Sequence, residues 1–241
     1  MNAKKLKKRL KFTDAQLEKI RQAVIDAEKK SDGEITLALT SESASYAEYE
    51  LFVAVIVGLV SFCIMLLFSG ALTNWLNSMT WQPKVWQLPL FMGSVSFGLI
   101  ALCYHLFNFP ALDRLIVPKS IRANAVYKRA LQFFAESGVF ATKNHTGILI
   151  FVSWTERKVK ILADIGITAK ISQKDLNEIC FEVSKGFLIG TASSITDSFI
   201  DAINKCGVLL EKHFPASKEN PNELKDNLVF VDKGLVMFNE K

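Results

Sequence analysis

Asn144, His145 and Asp164 are the side chains most suited to chemistry in this sequence. Asn and Asp offer hard oxygens, and His offers a ring nitrogen that titrates near neutrality. All three fall in predicted loops flanking two predicted strands, and loop residues held by rigid strands are favoured positions for function. An ordinary role is open to them as well: Asp164 caps a turn and Asn144 stabilises the loop before a strand. Ser153 follows an apolar run and is a candidate nucleophile, although no His or Asp partner is identifiable from the sequence. Asp175 reads as a helix cap. Glu156 and Arg157 sit in a tight turn and read as a surface ion pair. The sequon at 144–146 carries no meaning at a cytoplasmic strand entrance.

A phosphatase should offer a nucleophile or a metal pair. No GxSxG, P-loop, HExxH, GxGxxG or EF-hand spacing occurs. The four cysteines, Cys63, Cys103, Cys180 and Cys206, include no CxxC and no zinc spacing, so they read as small buried hydrophobes in a reducing compartment.

The elements that must position these residues follow from periodicity and caps. Thr13 to Gln16, TDAQ, is a capping box, and Leu17, Ile20, Val24 and Ala27 give the next helix one apolar face. Residues 34–40, EITLALT, alternate as a strand. Residues 41–50 read as helical and continuous with the apolar segment that follows. A helix is predicted from Pro118 and Lys119 to about Ser137, with Ala123, Val126, Ala130 and Phe133 inward and Gly138 at its end. Residues 146–153 form a continuous apolar strand of the kind covered on both faces. Residues 157–163 pair with it as an antiparallel hairpin. Ser172 and Asp175 form a second capping box, before a helix with Leu176, Ile179, Cys180 and Val183 aligned. Thr191 starts another helix, with Ile195, Phe199, Ile203, Cys206 and Leu210 aligned. Residues 217–226 are polar loop, and a short terminal hairpin is expected over 228–238. The strands at 34–40 and 146–153 are joined through helices, as a parallel crossover would be.

Two apolar segments interrupt that crossover. Residues 51–68 and 88–109 carry no Asp, Glu, Lys or Arg, and each has the length of a membrane-crossing helix. The first begins too late for a signal peptide. The connector at 69–87 has Lys84 alone, whereas both outer flanks are rich in Lys and Arg, which places those flanks in the cytoplasm. Trp75, Trp81 and Trp86 are expected to anchor the outer interface. Gly93, Ser94, Ser96 and Gly98 suggest close helix packing. His105 reads as a snorkelling ring near the inner boundary, so a transport path has little support. The net charge of +5 is concentrated in Lys4, Lys5, Lys7, Lys8, Arg9 and Lys11. Beside apolar spans, that run marks the cytoplasmic side or touches anionic lipid. No groove-reading motif accompanies it, so nucleic acid is not an expected partner.

The arrangement, together with residues 146–167, TGILIFVSWTERKVKILADIGI, resembles the TPM-domain family. The family pattern is a Gly that opens an apolar strand, a basic turn, and a second strand leading to a Gly-containing loop; here these are Gly147, Arg157 and Gly166. The resemblance implies an α/β/α sandwich with a small mixed sheet. Among family members it also brings acid phosphatase activity, divalent-cation binding, or service in photosystem repair. Members commonly carry an acid two positions before the strand-opening Gly, where this chain has His145, and a Gly-aromatic-Gly loop where it has Asp164-Ile165-Gly166. A calcium or magnesium site implied by the resemblance would use Asp164, Asn144 and His145, although calcium takes six to eight oxygens, several of them carboxylates.

The expected organisation is a split α/β domain at 1–48 and 113–215, a transmembrane hairpin at 49–112 with spans near 51–70 and 88–109, and an extension at 216–241. The leading expectation is a non-catalytic, membrane-anchored TPM-type module. It would sit at the cytoplasmic face of a bacterial inner membrane and bind a membrane or cytoplasmic protein, or a divalent cation. The alternatives are a divalent-metal-dependent phosphatase built on Asp164 and a small subunit of a membrane complex.

Overall fold

A computed structural model describes residues 3–79, 84–107, 113–217 and 221–232. Two compact units emerge, one from residues 1–44 and 120–241, the other from residues 45–119.

The first unit is built on a mixed sheet. Strands β1 (Glu34–Thr40), β2 (Gly147–Ser153), β3 (Lys158–Ala163) and β4 (Val229–Val231) lie in the order β3-β2-β1-β4 among the described residues. β1 and β2 pair in parallel from Glu34↔Gly147 to Thr40↔Ser153, and β2 and β3 pair antiparallel. Every residue of β1 and β2 is buried. The reason is that helices cover both faces of the sheet. Ile35, Leu37, Leu39, Ile148, Ile150, Val152 and Ile161 face helices α1 (Ala3–Leu10), α2 (Asp14–Glu28), α9 (Gln173–Ile189) and α10 (Ala192–His213). Ala38, Leu149 and Phe151 face α7 (Lys119–Glu136) through Val126, Ala130 and Phe133.

Local chemistry sets most boundaries. Thr13 caps α2 with both arms of the capping box in place. Ser172 caps α9 by accepting from the Asp175 amide, but the return arm is a hydroxyl-to-carboxylate bond of 2.8 Å, so the expected second box is only half formed. Thr191 caps α10, and Gly138 ends α7 with φ +77°, a conformation that favours glycine. At Gly147 a Cβ would lie 2.3 Å from the Val139 carbonyl oxygen, which seats the end of α7 beside the start of β2. α7 therefore begins at the other sheet edge, where the carboxyl end of β1 also lies. The chain leaves this unit and returns to it at the same edge.

Several expectations need correction. Residues 41–46 are not helical, because the chain must first cross the end of the sheet. The basic run, to which the sequence assigned no element, is helix α1, whose Leu6 and Leu10 enter the core. The terminal segment is not a local hairpin over its described part: β4 pairs in parallel with β1, while 233–238 lie outside the described residues. Residues 221–232 also belong to the fold rather than to an extension, since the Glu223 and Leu224 amides donate to Glu34.

The second unit contains α3 (Ala47–Leu67), α4 (Ser69–Met79), α5 (Gln87–Phe107) and α6 (Asp113–Ile116). α3 and α5 are long and apolar enough to cross a membrane. The connector is largely the helix α4, with the Trp75 and Phe91 rings 5.5 Å apart; Trp81 lies outside the described residues. The close contact between α3 and α5 is at Gly58, where a Cβ would lie 2.3 Å from Ile100 and 3.3 Å from the Ser96 carbonyl. Of the expected small-residue face, only Ser96 is buried, and a Cβ added at Gly93 or Gly98 would meet no other group within 4 Å.

Gly58→Leu should therefore force α3 and α5 apart. An overpacking penalty of about 1–3 kcal/mol is expected, read as a lower unfolding midpoint of the full chain in mild detergent. Gly93→Ala should leave that midpoint in place.

Candidate functional site

The amino-terminal ends of β1 and β2 gather one of two polar clusters in the first unit. Asp164 follows β3, and its amide donates to the Gly147 carbonyl at 2.9 Å, which carries the strand pairing one step further. Its Oδ1 accepts the Ile165 amide at 2.7 Å, capping the short helix α8 (Ile165–Thr168). Its Oδ2 meets His145 Nδ1 at 3.1 Å. His145 sits in the left-handed region, with φ +54°. The loop at 144–145 reaches α8 because residue 166 has no side chain: a Cβ there would lie 2.6 Å from the His145 carbonyl oxygen and 2.8 Å from that of Asn144.

The three residues singled out by sequence are thus neighbours, but they are not equivalent. Asp164 is largely buried, with both oxygens engaged, whereas the His145 side chain is 57% exposed and Asn144 lies exposed on the rim. Among the described residues, no group of three or more His, Cys, Asp or Glu side chains is placed to hold a metal ion. The chemistry this arrangement performs most directly is capping and loop positioning.

Two buried acids beside it were not singled out by sequence. Glu28, at the end of α2, accepts the Ile35 amide at 2.8 Å, and Glu34 accepts the Glu223 and Leu224 amides at 3.3 and 3.2 Å. Together with Ile25, Lys29 and Asn222 they line a cavity of about 130 Å³. Burial pushes the Glu28 carboxyl up to about 8, and the nearby Glu34 and Asp226 add to the shift. Burial raises Glu34 as well. Nothing in the periodicity marks Glu28, because the buried face of α2 is otherwise apolar, through Ile20, Val24 and Ala27.

At the opposite sheet edge the expected surface pair of Glu156 and Arg157 separates. Glu156 is buried. It accepts the Ser43 amide at 2.8 Å and the Ser153 hydroxyl, and the Ser43 hydroxyl donates to Ser153 Oγ at 2.9 Å. The carboxylate staples the ends of β1 and β2 together, so Ser153 is a buried, occupied hydroxyl. Arg157 turns away with φ +52°, donates to the Phe187 carbonyl at 2.6 Å and lies over the Trp154 ring. A cation there complements the carbonyl end of α9. Burial raises the Cys180 and Cys206 thiols, Cys206 to about 12, so both remain protonated and unreactive near neutrality.

Two outcomes are expected from this geometry. Asp164→Ala should lower the stability of the full chain in detergent by about 1–2 kcal/mol, as loss of a helix cap does, and Asp164→Asn should recover most of it. The loss should be the same with and without added calcium; calcium-dependent stabilisation that vanished in Asp164→Ala would instead make Asp164 a ligand. Glu28 holds its proton more tightly folded than unfolded, so its contribution is complete below about pH 4.5 and fades as pH rises toward 8. Urea titrations across that window should show Glu28→Gln flattening the decline.

No family model matches the sequence, and no curated protein does. Among solved structures, the fold is similar to the NMR structure of BA42 protein from the psychrophilic bacterium Bizionia argentinensis, at 18% identity and a TM-score of 0.52, covering 91% of this chain and 95% of that one. At that identity the likeness is one of fold alone.

Proposed function

We propose that this chain is a two-span protein of a bacterial inner membrane, whose TPM-type α/β unit is a cytoplasmic binding module for a protein partner or a divalent ion. The observation that carries the reading is the surface of α3 and α5. Phe52, Leu59, Leu67 and Phe97 are 61–84% exposed, with other large apolar side chains exposed around them. A helix that is apolar all round belongs in a protein core or in lipid, and these two are not in a core. Each has 21 residues, about 31 Å at helical rise, which matches the hydrocarbon thickness. Their backbone groups are satisfied internally, as the bilayer demands.

Orientation rests on the Lys and Arg of the outer flanks against the single Lys84 of the connector. The TPM assignment is supported by the stretch at 146–167, with Gly147 opening β2, Arg157 in the turn and Gly166 beneath the loop, and by the α/β fold. Binding is favoured over turnover because Ser153, Asp164, Cys180 and Cys206 are each occupied or protonated. Gly93 and Gly98, open on α5, favour a second reading in which the hairpin also packs against another membrane protein.

After alkaline carbonate washing the chain should stay with the membrane pellet and require detergent for release. In a variant lacking the native cysteines, Asn77→Cys should react with an impermeant maleimide in spheroplasts, and Lys143→Cys only after lysis. Release by carbonate or the reverse labelling pattern would overturn the anchoring. Hydrolysis of a phosphate ester by the purified chain, lost on Asp164→Ala, would overturn the non-catalytic reading.

A further inference from the structure

The basic helix α1 is the strongest unabsorbed feature of the first unit. Residues 1–13 contain six Lys and Arg and no Asp or Glu. A lysine-rich amphipathic helix usually lies on a bilayer by burying its apolar face in lipid. Here that face is already committed, since Leu6, Leu10 and Phe12 are in the core with exposures of 0, 6 and 8%. What remains outward is charge: Lys7, Lys8, Arg9 and Lys11 are all exposed.

The location of this patch within the unit gives it a direction. Phe12 stacks edge-on against Phe230 at 5.9 Å, and Phe230 is paired with Leu39, one residue from the end of β1. The basic helix therefore lies at the carboxyl-end edge of β1. Within the unit, β1 ends and α7 begins at that end of the strands. The acidic cavity of Glu28 and Glu34 lies at the opposite edge.

We infer that α1 is an electrostatic contact for the anionic headgroups of the membrane leaflet the chain is anchored in, held by charge without insertion of apolar side chains. This rests on the membrane-anchored reading. A negatively charged leaflet attracts Lys and Arg within about a Debye length, roughly 8–10 Å at physiological salt. A helix pinned by Leu6 and Leu10 offers its charges in a fixed array, without the ordering cost of a disordered tail.

The test is hydrogen exchange of the full chain reconstituted in bilayer discs, either zwitterionic phosphatidylcholine or containing about one third phosphatidylglycerol. At low salt the amides of α1 should exchange several-fold more slowly in the anionic discs. The difference should vanish at high salt and in Lys7→Glu/Lys8→Glu/Lys11→Glu, while α2 exchanges alike throughout. If the triple variant also loosened α2, Lys7→Gln/Lys8→Gln/Lys11→Gln replaces it, with the same loss expected. Equal exchange of α1 in the two discs, with the chain still embedded, would overturn this inference and leave the anchoring intact. Stronger protection by duplex DNA than by the anionic bilayer would overturn it in favour of nucleic acid. A chain that failed to enter discs would remove the anchoring and this inference together.

Discussion

The parallel pairing of β1 with β2 is the constraint on which the rest depends. Its register, Glu34↔Gly147 to Thr40↔Ser153, joins segments separated by more than a hundred residues, most of the intervening length being apolar. Loop-closure entropy rises only with the logarithm of loop length, so a long insertion is tolerable provided the ends are held well. They are held at both edges. At one, the Glu34 amide donates to the Thr146 carbonyl and the Thr146 hydroxyl to the Asp32 carbonyl. At the other, the Trp154 and Thr155 amides donate to the Thr40 and Ser41 carbonyls, and Glu156 fastens Ser43. The apolar segment is inserted between the end of β1 and the start of α7, which lie at the same end of the strands.

Local signals in the sequence located most of this unit. Thr13, Ser172 and Thr191 cap as their spacing implies, because a hydroxyl bonded to an amide two or three residues on needs no tertiary partner. The stripe of α10 and the β2–β3 hairpin were legible for the same reason. The missed elements depend on distant contacts. α1 shows only two leucines among its lysines, and only the core around Phe12 makes them a face. β4 is three residues long and becomes a strand by adding to the edge of β1. α4 looks like a connector because its composition is mixed and none of its residues is buried.

The site was legible in position and much less so in chemistry. Asn144, His145 and Asp164 do come together, since hairpin strands bring the loop before β2 beside the loop after β3. What each does there is decided by atoms the sequence does not order: the free amide of Ile165 and the missing side chain of Gly166 turn a potential ligand into a cap. Glu156 shows the converse. It sits in a turn, where charge is normally solvated, yet a buried carboxylate is tolerable because the Ser43 amide and the Ser153 hydroxyl supply its hydrogen bonds.

The two ends of the strands in the first unit carry different groups. The amino-terminal edge of β1 carries Glu28 and Glu34, with Asp226 close enough to raise both carboxyls. The carboxyl-terminal edge carries α1 and its lysines. Glu28 is held in a buried position at the expense of its ionisation, so it contributes little charge near neutrality. The exposed lysines of α1 therefore stand away from the buried acids Glu28 and Glu34, at the other end of the strands. An anionic surface would attract the end of the unit that carries the exposed lysines of α1.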